Sequence, residues 1–308
     1  MIQYMIKRIV IGVLSLFVLV GITFFLTRAI PGSPFESSNV SGEVLEMMEN
    51  EYGLNDPVIV QYGTYLLHVI QGDFGYSYEN PSQSVTSIIA EFLPVTIMTG
   101  GFALLLAIAT GVSFGIWMVV SKQKIIQRAL FSGTILGTGI PNFVLALVLI
   151  FVFGVKFHWL PVAGGSEWES YILPVCSLAI YPASVICRMT AHLYKEEMKK
   201  EYVVLAKAKG MQWERIVWKH VLRHIWLPLF NYLGSAAAFL LTGSFAIESI
   251  FTIPGLGSQF VHAISNRDYT LIMGLTIFMG TVVISIQVLV DLLGAWIDPK
   301  IRCSYEGQ

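Results

Sequence analysis

Tyr202-Val-Val-Leu-Ala-Lys-Ala-Lys-Gly210, followed by Met211 to Arg223 and then Leu227-Pro228, is a polar stretch between two apolar windows. Its spacing reads as a helical hairpin. Val203, Val204, Ala206 and Ala208 lead into Gly210, and glycine adopts the left-handed angles that end a helix cheaply. Trp213, Ile216 and Val217 then share one side of a second amphipathic helix, as suits a short helix seated in a partner's groove. A solvated basic face accounts for the charge of the stretch but does not require this ordered succession.

What surrounds the hairpin decides the fold. The 308 residues are 55% hydrophobic and 13% charged, against about 25% charged in a soluble domain, and the mean hydropathy is +0.68. Lipid is therefore the main solvent. Six windows carry no Asp, Glu, Lys or Arg: Ile9–Thr27, Phe92–Ser121, Ala129–Val155, Ser170–Cys187, Ile225–Ile247 and Tyr269–Val290. Each is long enough to span about 30 Å of hydrocarbon as a helix, and only a helix satisfies its backbone within such a segment. The expected fold is an all-α integral membrane protein with six transmembrane helices. Lys7 and Arg8 before the first window and Pro31-Gly32 after it also fit a signal peptide, but the window exceeds the usual h-region of about 7–15 residues.

Charge orients this bundle. With the N-terminus inside, every Lys and Arg except Arg28, Lys156 and Arg267 falls in an inner segment, as the positive-inside tendency requires. Both termini are expected in the cytoplasm. Cys176 and Cys187 lie in the fourth window and Cys303 in the inner tail, so no oxidised framework is expected.

Residues 1–28 form the N-terminal helix, 29–91 an extracellular segment, 92–295 a five-helix core with an inner loop at 188–226, and 296–308 a tail. The extracellular segment reads as partly helical: Ser41 to Asn50 has helical spacing after a Ser start, and Pro57 to Gln71 offers a second amphipathic stretch before the turn at Gly72-Asp-Phe-Gly75. Ala107, Gly111 and Gly115, with Gly133 and Gly137, place small residues at helix-packing spacing. Pro141 interrupts the third window, either as a gating hinge or as a shape needed for packing.

The hairpin string resembles the cytoplasmic EAA loop of ABC importer permeases, in its peptide/nickel subfamily form. The matching positions are Tyr202, Val203, Ala206, Lys207, Ala208, Lys209, Gly210, His220, Leu222, Arg223, Leu227 and Pro228. Val204 and Leu205 stand where the general motif has Glu and Ala, a departure the subfamily shares. Further strings are similar to the same subfamily: Gly53 to Ser77, Trp159 to Gly164, Ile247 to Tyr269, and Trp296 to Arg302. The resemblance covers essentially the whole chain and points to the first-permease type of oligopeptide and dipeptide systems.

It implies a type I ABC importer permease architecture and a transport subunit rather than an enzyme. The implied partners are a second homologous permease, two ATP-binding subunits that hold ATP and Mg, an extracytoplasmic solute-binding protein and membrane lipid; no nucleic acid is implied. It implies ATPase coupling through Tyr202, Ala206, Lys207, Ala208, Lys209, Gly210, Trp213 and Ile216. In the Ile247 to Tyr269 string, Glu248, Phe251, Pro254, Gly255, Gly257, Arg267 and Asp268 stand either as an outer gate and binding-protein lip or as a structural re-entrant turn capped by Glu248. Arg267 beside Asp268 offers a local salt bridge on that rim.

The sequence contains no Gly-x-x-x-x-Gly-Lys-(Ser/Thr) string for nucleotide phosphate. His220 and His224 lie four apart but without an acidic neighbour at metal spacing, so no metal site or catalytic triad is expected. An ion-coupled transporter places ionisable groups inside its spans, whereas Glu248 and Asp291 lie only near their ends. A receptor or scaffold needs no ATPase. The favoured cargo is an oligopeptide or dipeptide, with nickel or a metal chelate as the alternative within one architecture.

Overall fold

The computed structural model describes residues 2–29, 47, 53–164 and 167–297. The helix expected over Ser41 to Asn50 lies outside them except for Met47, as does the tail after Ile297. In chain order the helices are α1 (Ile2–Ala29), α2 (Val58–Ile70), α3 (Val85–Val120), α4 (Lys124–Gly139) and α5 (Asn142–Leu149), which widens into π turns over Ile150–Lys156. A 3-10 turn, Trp168–Tyr171, leads into α6 (Ile172–Glu197); then come α7 (Glu201–Ala208), α8 (Trp213–Ile216), a π turn at Val217–Val221, α9 (Leu222–Leu241), α10 (Phe245–Ile250), α11 (Leu256–Ser265) and α12 (Tyr269–Ile297).

Among the described residues five stretches are long and apolar enough to cross a membrane: α1, α3, α6 with its 3-10 turn, α9 with α10, and α12. The third sequence window is not a straight sixth. There α4 and the α5–π segment meet at 110°, because Pro141 has no N–H to donate and disfavours helical angles in the residue before it; Ile140 is extended at φ −93°, ψ 127°. Six crossings are reached when this bent pair counts as one. The packing of α3 and α6 requires that return: the two run parallel, with Gly111 against Ala183 and Ile186 and Gly115 against Cys187 and Thr190.

Two helices overrun their sequence windows. Ser84 accepts a hydrogen bond from the Ser87 N–H at 3.2 Å and starts α3 at Val85, so Glu91 sits within a helix. At the other end α6 continues through Arg188 and Lys195 to Glu197. A window ends at its first charge, but a helix crossing into water need not.

Close approach of backbones holds the bundle. A Cβ at Gly111 would lie 2.7 Å from Ile186 Cβ, and one at Gly115 2.7 Å from Thr190 Cβ, so in lipid, where apolar burial drives little association, small residues supply the packing. Gly137 is closed against Ser184 in the same way, whereas Gly133 faces open space. The α1–α12 pair is antiparallel: Arg8 Nε meets Asp291 Oδ2 at 3.2 Å at one end, and the Arg28 guanidinium lies 5.9 Å from the Tyr269 ring centroid at the other. On α9, Asn231 adjoins Gly294 and Gly234 adjoins Val290. The hairpin that precedes α9 therefore emerges at the end of the bundle that holds Arg8 and Asp291.

Candidate functional site

The hairpin end is built on a Schellman turn. Gly210 has φ +74°, its N–H donates to the Lys207 carbonyl at 3.0 Å, and the Met211 N–H donates to the Ala206 carbonyl at 3.2 Å, the paired bonds that satisfy a helix C-terminus. After it α8 does not end as a separate short helix. It runs through the π turn into α9, so the hairpin's second arm is the start of a membrane helix.

One side of this arm pair is anchored. Val203, Ala206, Ile216, Val217 and Val221 are buried in the same core cluster as Tyr194 of α6. Glu197, at the end of α6, is buried and accepts hydrogen bonds from Tyr202 Oη at 2.6 Å and from Lys200 Nζ. Burial, then the bond to Glu197, pushes the Tyr202 phenol above its ordinary range. His220 and His224 flank the Tyr202 ring, with centroids 6.4 and 5.4 Å away. The other side is bare: Val204, Leu205, Lys207, Ala208, Lys209, Gly210 and Trp213 are exposed, with Lys207 Nζ 5.3 Å from the Trp213 ring centroid. Of the residues expected to couple, Lys207, Ala208, Lys209, Gly210 and Trp213 thus face outward, while Ala206 and Ile216 face the chain's own core.

At the opposite end the glycine-rich string closes around a carboxylate. Glu248 is 2% exposed; its Oε1 accepts from Thr96 Oγ1 at 3.2 Å and its Oε2 from the Ser258 N–H at 3.1 Å. Thr96 Oγ1 in turn accepts from the Leu256 N–H at 2.8 Å. A Cβ at Gly255 would collide with Glu248 Oε2, and one at Gly257 would lie 3.0 Å from it, so both glycines make room for the carboxyl group. Phe251 is buried, and its carbonyl accepts from the Gly164 N–H at 2.5 Å, which ties the Trp159 to Gly164 string to this knot. Pro254 remains exposed.

Asp268, where a rim salt bridge with Arg267 is expected, holds local structure. It is buried, accepts from the Leu271 N–H at 3.0 Å as the N-cap of α12, and accepts from Ser77 Oγ at 2.5 Å. Arg267 adopts φ +56° in the turn before it. Arg28, Gln61, Tyr65, His68, Asp73 and Tyr78 help line a cavity of about 460 Å³ between α1, α2 and α12.

Sequence reading missed Thr96, Glu197 and Ser258. Thr96 and Glu248 lie 152 positions apart, and nothing local marks the threonine. Ser77 did carry a signal, as the last position of the Gly53 to Ser77 string.

The comparisons with known proteins agree with this layout. The profile of the family described as "Binding-protein-dependent transport system inner membrane component" matches residues 111–302, and that of the N-terminal part of such membrane components matches residues 1–100. The chain belongs to this family. Among curated relatives, the oligopeptide transport system permease protein OppB of Haemophilus influenzae is 40% identical over 98% of this chain and 100% of its own length. The dipeptide transport system permease protein DppB of Bacillus subtilis is 38% identical over 100% of both. OppB of Salmonella typhimurium is 36% identical over 98% of this chain. A chain of the MetNI methionine ABC transporter, solved in inward-facing conformations, superposes with a TM-score of 0.51 at 16% identity, covering 69% of this chain and 95% of that one. This inner membrane component is therefore a multi-pass permease with the type I ABC importer fold, as its sequence strings imply.

Proposed function

We propose that this permease carries oligopeptides or dipeptides inward across the membrane, driven by ATP hydrolysed on separate subunits. The observation that carries the cargo class is the 36–40% identity, over essentially the whole length, to permeases named for oligopeptide and dipeptide transport. The partners in this reading are a second homologous permease, two ATP-binding subunits that hold ATP and Mg, and an extracytoplasmic solute-binding protein. Arg8, Asp291 and the hairpin share one end of the bundle, and the basic residues concentrate there; in this reading that end and both termini face the cytoplasm.

The hairpin is the coupling element. Its bare side, Val204, Leu205, Lys207, Lys209 and Trp213, meets the ATPase, and its second arm passes movement directly into α9 because the helix does not break between them. A rigid helical lever of this kind transmits a displacement without needing a second contact. At the outer end the buried Glu248 knot frames the bundle, and the exposed rim around Pro254 meets the solute-binding protein.

The test is uptake by the complete complex in proteoliposomes, using a labelled tripeptide and ATP inside the vesicle. Wild-type vesicles accumulate peptide only with ATP and the binding protein. Charge reversal at Lys207 and Lys209 should lower uptake and weaken co-purification of the ATPase about tenfold. Intact uptake and association in that variant defeats the coupling assignment, and ATP-dependent accumulation of nickel or a metal chelate in place of peptide defeats the cargo assignment.

A further inference from the structure

Antiparallel α4 and α6, packed where Gly137 meets Ser184 and Ile180, leave a groove of about 350 Å³ at the hairpin end of the bundle. Gln127, Arg128 and Phe131 of α4 line one wall, and Arg188, His192 and Lys195 of α6 line the other. Among the described residues no carboxylate lines it. Glu196 lies 3.4 Å from His192 Nε2, outside the lining, and both side chains are exposed. Arg128, Arg188 and Lys195 form no ion pair among the described residues.

We propose that this groove binds a phosphate-bearing anion at the membrane boundary. Arg128 is the last charge before the uncharged window that starts at Ala129, and Arg188 is the first after the window that ends at Cys187. Both guanidinium groups therefore stand at the depth where hydrocarbon gives way to water. Lys195 follows Arg188 by about two helical turns on the same face of α6. Two planar donor forks and one ammonium around a groove free of acids match the oxygens of a phosphate, which arginine engages in pairs.

The surface that leaves the groove favours a lipid as the source of that phosphate. Phe131 is 52% exposed and Ile135, one turn further into the window, 48%, so an apolar strip continues along α4 from the cationic groove. A phospholipid headgroup in the groove places its acyl chain on that strip, whereas inorganic phosphate uses the cations alone. The site involves neither the hairpin surface nor the cargo, so it stands independently of the transport reading.

The complete complex in phosphatidylcholine nanodiscs with a graded fraction of phosphatidylglycerol tests this, by native mass spectrometry of the lipid retained. Removing a cation near a membrane surface weakens anionic-lipid binding about fivefold. Lys195→Gln should thus lower phosphatidylglycerol retention about fivefold and the Arg128→Gln/Arg188→Gln pair about 25-fold, while Lys156→Gln at the opposite end leaves it unchanged. A second arm titrates inorganic phosphate into phosphatidylcholine-only discs and reads thermal stability. Stabilisation of the wild type but not of the double variant, without lipid dependence, keeps the phosphate site and assigns its occupant to solution. Equal lipid retention and equal phosphate response in wild type and variants overturns the proposal. If the double variant fails to assemble, Lys195→Gln decides: a loss below about twofold in both arms overturns it.

Discussion

The hairpin and the Glu248 knot are both glycine-containing turns at the ends of the same bundle, yet they use their charges in opposite ways. In the knot Glu248 and Asp268 point inward and are buried, each held by a hydroxyl and a backbone N–H. In the hairpin Lys207 and Lys209 point outward, while the burial is done by Val203, Ala206 and Ile216. A carboxylate placed among backbone donors organises its own chain; the two ammonium groups lie on the exposed face, Lys207 against the Trp213 ring. One chain thus uses charged motif residues in two ways: buried and hydrogen-bonded within the fold at one end, exposed at the other.

The sharpest way to break this contrast is at Glu248. Glu248→Leu leaves Thr96 Oγ1 and the Ser258 N–H without their acceptor, and should cost about 3 kcal/mol of stability, seen as a lower melting temperature in detergent and poor membrane yield. Asp268→Ala removes the α12 cap and the Ser77 bond, and should cost about 1.5 kcal/mol by the same measurement.

The hairpin should behave in the reverse manner. Lys207→Glu with Lys209→Glu should weaken ATPase co-purification about tenfold, equivalent to about 1.4 kcal/mol, with the melting temperature unchanged. A comparable fall in melting temperature would place these lysines in the structural class with Glu248 and erase the contrast. Tyr202→Phe sharpens the boundary between anchored and bare sides: it removes one hydrogen bond to Glu197 and should cost about 1 kcal/mol of stability, with smaller effects on ATPase binding than the lysine reversal.

Much of this was legible in the residues. Gly210 announced the end of α7 because a left-handed angle is cheap only for glycine, and the uncharged windows announced the spans because hydrocarbon excludes unpaired charge. The window at Ala129–Val155 promised one span and revealed its proline, but not a 110° turn, since the angle depends on what α6 offers each half to pack against. Ile216 shared a helical face with Trp213 in the sequence, and only the position of Tyr194 and Val203 showed that it points home rather than toward a partner.

The sequence by itself determined the solvent, the helical class, the sided distribution of charge and the family strings, because each of these is a property of local composition or spacing. The tertiary structure alone decided that α8 and α9 run on as one unbroken helix, that Thr96 completes the Glu248 knot, and that Asp268 caps α12 while holding Ser77. These last are meetings between segments up to 191 residues apart, and such pairings are fixed by how helices close on one another rather than by anything either segment carries alone.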